Sequence, residues 1–98
     1  MSRYIEEWEW DDANLLELGR HGLSRDSVIQ VWRENPRFRP NRRGRAATDQ
    51  MIGPDLGGQL WVICIYEPGP QRGLWRAITG WRAEPEDIVW HKKRTGEA

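Results

Sequence analysis

The chain has 98 residues, enough for one domain and too few for two independent cores. Its single cysteine excludes an intramolecular disulfide, its longest apolar run is too short to span a bilayer, and two histidines with one cysteine give no recognisable metal-ligand spacing. The formal net charge is zero but unevenly placed: six acids and no base lie between Glu6 and Glu17, and six arginines against Glu34 alone lie between Arg33 and Arg45.

Asp11 is a good cap for a first helix, and Asp12 beside it favours the positive end of the helix dipole. Leu15, Leu16 and Leu18 supply the apolar face. Arg20-His21-Gly22 closes the helix, with glycine suited to the left-handed position. Ser24 opens a second helix whose apolar residues are Val28, Ile29, Val31 and Trp32, and Asn35-Pro36 stops it. The two form a helical hairpin.

Strands follow. Pro36 and Pro40 bracket Arg37-Phe38-Arg39, which reads as a short edge strand with Phe38 turned inward. Asn41 and Gly44 are the expected turn residues after it. Thr48 to Gly53 reads as a second strand, ended by Pro54-Asp55-Leu56-Gly57-Gly58. Leu60 to Tyr66 is apolar on both faces and therefore central. Cys64 lies inside that run, which predicts a buried structural thiol rather than a reactive one. After the loop Glu67 to Gly73, Leu74 to Trp81 is a further strand. Simple alternation puts Trp75, Ala77, Thr79 and Trp81 on one face, and Leu74, Arg76, Ile78 and Gly80 on the other. A last helix starts near Glu84-Pro85 and runs to about Lys93. Residues 94–98 are expected to fray.

This order predicts one α+β domain over residues 1–98. A two-helix hairpin precedes a small antiparallel sheet of about four strands, a C-terminal helix follows, and the helices pack on one face. Seven tryptophans are spread along the chain, which suits distributed core and interface packing more than one local patch. The first residues lack a basic flank followed by an apolar stretch, so no secretion signal is expected. A small domain held by packing alone suits a reducing cytoplasm.

Several residues carry two readings. His21 is a general base or phosphate contact, or else a histidine capping a helix end. His91, with Lys92, Lys93 and Arg94, is a phosphate grip or a solvated terminal turn. Arg76, the lone cation on an apolar strand, needs either an internal carboxylate or a bound phosphate. The run Arg33, Arg37, Arg39, Arg42, Arg43 and Arg45 suits a polyanion such as RNA, with tryptophan nearby to stack bases. An acidic protein partner would use the same surface, and a loop of solvated charge is a third reading, which the choice of arginine over lysine mildly disfavours. Gly57-Gly58 lacks the lysine and following helix of a phosphate-binding loop.

The stretch from Trp10 to Ser24, Trp-Asp-Asp-Ala-Asn-Leu-Leu-Glu-Leu-Gly-Arg-His-Gly-Leu-Ser, resembles the opening signature of the BrnT family: Trp-Asp, a polar helix, then His-Gly, a branched aliphatic and a small polar residue. Met51-Ile52-Gly53, Leu60 to Tyr66, Arg76 to Gly80 and Glu84 to Lys93 are similar to its later strands and closing helix. The resemblance implies a RelE-like fold and a bacterial ribonuclease toxin paired with a cognate antitoxin protein. It implies RNA cleavage without metal or cofactor, and no membrane association; a homodimer is compatible with it. Arg76 and Arg82 would then be the phosphate cations and His21 or His91 the acid–base group. Arg20, Arg37, Arg39, Arg42, Arg43, Arg45, Lys92 and Lys93 would contact RNA. The sequence departs from the family pattern at Asn14 and Arg20, where lysines are usual. It departs again at Trp81, which replaces a second strand arginine, at Asp87 in place of glutamate, and at His91 in place of tyrosine. Trp81 motivates the alternative: a non-catalytic domain of the same fold that binds an antitoxin-like protein or nucleic acid.

Overall fold

Asp11 and Asn14 cap the first helix reciprocally in the computed structural model, which describes residues 3–42 and 46–96. The Asn14 backbone N–H donates to Asp11 Oδ1 (2.9 Å), and the Asp11 N–H donates to Asn14 Oδ1 (2.8 Å). Helix α1 (Asp12–Arg20) buries Leu18 and ends at Gly22, whose φ of +83° is the left-handed conformation glycine adopts readily. Ser24 caps α2 (Arg25–Arg33), its hydroxyl accepting the Ser27 N–H, and Val28 and Val31 are the buried residues of that helix. The hairpin expected from the sequence is present.

The sheet has five strands: β1 (Glu7–Trp8), β2 (Arg37–Pro40), β3 (Asp49–Pro54), β4 (Leu60–Tyr66) and β5 (Leu74–Arg82). Their order is β1-β5-β4-β3-β2, and β2 to β5 form an antiparallel meander. Strand β1 joins β5 in parallel, so the sheet is mixed and one strand larger than expected. Two residues are too few to show a period of two, and their partners lie at Leu74 and Trp75. The Glu6 N–H donates to the Gly73 carbonyl (2.8 Å) and the Glu9 N–H to that of Trp75 (2.9 Å), fixing the pairing at both ends.

A bulge corrects the expected faces of β5. Ala77 pairs with Ile65 and Thr79 with Cys64, so Ile78 is an extra residue and the alternation inverts beyond it. Trp75 and Ala77 face the main core, and Gly80 faces it too. Trp81 is thereby carried to the opposite side, where it pairs with Val62.

The main core lies between one sheet face and the helical hairpin. Leu18, Leu23, Val28 and Val31 meet Met51, Trp61, Ile63, Ile65, Trp75 and Ala77, with Trp8 at the margin. The other face presents Gln50, Ile52, Val62 and Cys64, all buried, which makes β4 the central strand that its apolar sequence predicts. Helix α3 (Pro85–Thr95) serves this second face rather than joining the hairpin: its Asp87 accepts from Arg39 of β2 and Trp81 of β5. The helix continues past Lys93 to Thr95 and closes on Gly96 at φ +80°, so Arg94 and Thr95 are helical. Residues 97 and 98 lie outside the described residues, as does Gly44 of the expected turn. Among the described residues no helix is long and apolar enough to cross a membrane.

Candidate nucleic-acid interface

Arg76, on the half of β5 nearest β1, is answered from within. Its guanidinium meets Glu9 Oε1 at 3.2 Å and Asp11 Oδ2 at 2.7 Å. The Asn14 N–H first, and Arg76 second, hold the Asp11 carboxyl below its ordinary range. Of the two readings open to Arg76, an internal carboxylate partner is the one present. Asn14 adds a further tie, donating from Nδ2 to the carbonyls of Glu9 (3.1 Å) and Ala77 (3.2 Å).

His21 and Arg20 lie at the far end of α1. The His21 N–H caps the helix on the Leu18 carbonyl, and its Nε2 stands 3.3 Å from Glu17 Oε2. Arg20 makes an exposed pair with the other oxygen of Glu17. The Glu17 carboxyl is lowered chiefly by its hydrogen bond to His21, and a bond from Thr79 reinforces that against partial burial. Arg82 ends β5 with its guanidinium 6.0 Å from the Trp61 ring. Six residue steps along the strand separate it from Arg76, roughly 20 Å at about 3.3 Å per residue. His91 is on α3, across the sheet from α1. The four residues expected to do chemistry therefore do not converge.

The cations of β2 and α3 do. The register of β2 on β3 places Arg37 and Arg39 on the face of Ile52 and Gln50, beside α3. Arg39 donates from Nε to Gln50 Oε1 (2.6 Å) and from Nη2 to Asp87 Oδ1 (2.7 Å), while its guanidinium lies 4.9 Å from the Trp90 ring centre. Arg94, one turn along α3, lies 4.4 Å from the same ring. Arg37 donates to the backbone carbonyls of Arg94 and Asn35, which position its charge without neutralising it. Arg39, Pro40, Arg42, Gln50 and Trp90 line a cleft of about 340 Å³.

Asp87 is saturated here. Burial raises the affinity of its carboxyl for a proton, but the bonds from Arg39, the Glu84 N–H and Trp81 outweigh this and hold it below its ordinary range. No carboxylate among the described residues bonds Arg37, Arg42, Lys92, Lys93 or Arg94. The acids of α3, Glu84 and Glu86, lie at its first turn, and the basic residues occupy its last. Arg43 and Arg45 lie outside the described residues. Among those described, no three metal-ligating side chains gather.

Sequence reasoning found the cations and missed what organises them. Trp90 is the centre of the patch. Its signal was the i, i+4 spacing to Arg94, which sets an indole and a guanidinium on one helix face. Gln50 carried none, because its role depends on the β2–β3 register. Compared with known protein families and with curated proteins, the sequence gives no match.

Proposed function

We propose that this domain is a BrnT-like protein of RelE-like fold, the toxin-side component of a bacterial toxin–antitoxin pair acting in the cytoplasm, and that its working surface binds RNA through the β2–α3 face. One observation carries this reading. Arg37, Arg42 and Arg94, which flank Trp90, bond no carboxylate among the described residues, and only Arg39 beside them is held by Asp87, while Arg76, a phosphate cation in the family pattern, is occupied by Glu9 and Asp11. Guanidiniums held by backbone carbonyls beside an indole suit a phosphate backbone with a stacked base. Binding without cleavage is the form the geometry favours, since His21, His91, Arg76 and Arg82 stand apart from one another. An antitoxin with acidic side chains would compete for the same face.

Titration of the purified chain with labelled single-stranded RNA tests this. Submicromolar, salt-sensitive binding that Arg42→Ala weakens is the expected result; salt-independent binding, or none, removes it. Cleavage is the second reading, favoured by His91 lying in the turn that carries Lys92 and Arg94. Growth arrest on induced expression, with cut RNA that His91→Ala abolishes, would establish it.

A further inference from the structure

The edge strand β2 has a second cleft on its other side. Side chains alternate across a strand, so Arg39 turns to the cleft beside Trp90, which Pro40 at the strand's end also lines, while Pro36 and Phe38 line one of about 350 Å³ toward the helical hairpin. That second cleft is completed by Arg3, Trp32, Arg33 and Asn35. Its composition repeats that of the first: an indole, and guanidiniums beside it. Arg3 is fixed by Asp49 at 2.8 Å and lies 5.8 Å from the Phe38 ring. Trp32 is anchored edge-on against Trp8, with ring centres 6.0 Å apart, and is half-buried. Arg33, in the last turn of α2, is exposed and bonds no carboxylate among the described residues. Asn35 holds the chain at φ +56°, which turns α2 sharply into β2 and brings Arg33 and Phe38 to one cleft.

We propose that this cleft is a second nucleotide subsite, and that single-stranded RNA crosses the β2 edge with bases seated in both clefts. The inference rests on the reading of the β2–α3 face as an RNA surface. Two features favour nucleic acid over an added peptide strand. Pro40 lacks a backbone N–H for strand pairing, and Arg37 and Arg39 flank the edge with charge, a pattern that resists strand addition. Aromatic rings paired with guanidiniums on both sides match a repeating ligand, a base and a phosphate per unit. Arg33 supplies the phosphate contact of the second subsite, and Trp32 and Phe38 its apolar walls.

The test compares a two-nucleotide with an eight-nucleotide oligouridylate by fluorescence anisotropy at low salt. The proteins are the native chain, Arg33→Ala, Arg42→Ala and Arg25→Ala. Arg25 lies on the same helix as Arg33, about 12 Å away along its axis, and reports the loss of bulk charge. The expected result is that Arg33→Ala weakens the longer RNA about three- to tenfold and flattens its salt slope by about one, leaving the dinucleotide unaffected. Arg42→Ala weakens both, and Arg25→Ala neither. If Arg33→Ala leaves the longer RNA unchanged, or Arg25→Ala weakens it equally, the second subsite is overturned and the first stands. If Arg42→Ala is also without effect, both fall.

Discussion

Asp87 is the one charged side chain that is fully buried among the described residues. Its carboxylate is almost fully enclosed and receives Arg39, the indole of Trp81 and the Glu84 backbone. Removing one partner of such a pair strands the other, so Asp87→Ala is expected to cost about 3 kcal/mol, measured by urea unfolding. Its folded-state affinity for protons is depressed, so its contribution is complete above the ordinary aspartate range near about pH 4 and disappears as pH falls through the lower folded value. Thermal melts should be flat from neutral pH down to about 5 and decline below about 4. Asp87→Asn should show a lower plateau and a shallower decline. The position was legible as a first-turn acid of the last helix. Its partner was not, because Arg39 lies 48 residues away and nothing local links the two.

At the scale of elements, Gly80 of β5 lies where the turn of the helical hairpin and β4 leave no room for a side chain. A Cβ there would stand 2.5 Å from Leu23 Cδ1 and 2.7 Å from the Val62 carbonyl oxygen, and the backbone oxygen has no easy retreat. Gly80→Ala should destabilise the fold by about 2 kcal/mol or more. Gly19, in the last turn of α1, has open space around it, and Gly19→Ala should stabilise by about 0.5 kcal/mol. Opposite shifts in urea midpoint at unchanged slope are the result to look for. Helices α1 and α2 and strands β3 to β5 were legible from their apolar residues and caps, and β2 and α3 from the prolines that bound or open them. The faces of β5 were misread beyond Ala77 because a bulge shifts register without a mark in the side-chain alternation. The opposite placement of α3 was also hidden: its inward side offers Asp87 and Trp90 rather than an apolar stripe.

For the whole molecule, a net charge of zero conceals two unlike margins. The acids from Glu6 to Asp12 gather along the β1 margin, where Arg76 offsets part of them, and the bases of β2 and the end of α3 gather at the opposite margin. RNA affinity should therefore respond to Arg42→Ala and not to Arg76→Ala, a contrast that parallel salt titrations would reveal. An equal loss in both variants would move the interface toward β1. This split was legible as two charge runs in the sequence, whereas the meeting of Arg37 with Arg94 required the packing of α3 on the sheet. The parallel pairing of β1 with β5 has a consequence for biosynthesis. Every other strand joins a neighbour in sequence, so the meander can assemble as it leaves the ribosome. Glu7 and Trp8 must wait for Leu74 and Trp75 to be translated before they can pair, so the acidic margin of the sheet closes only after the basic strand β2 has been made.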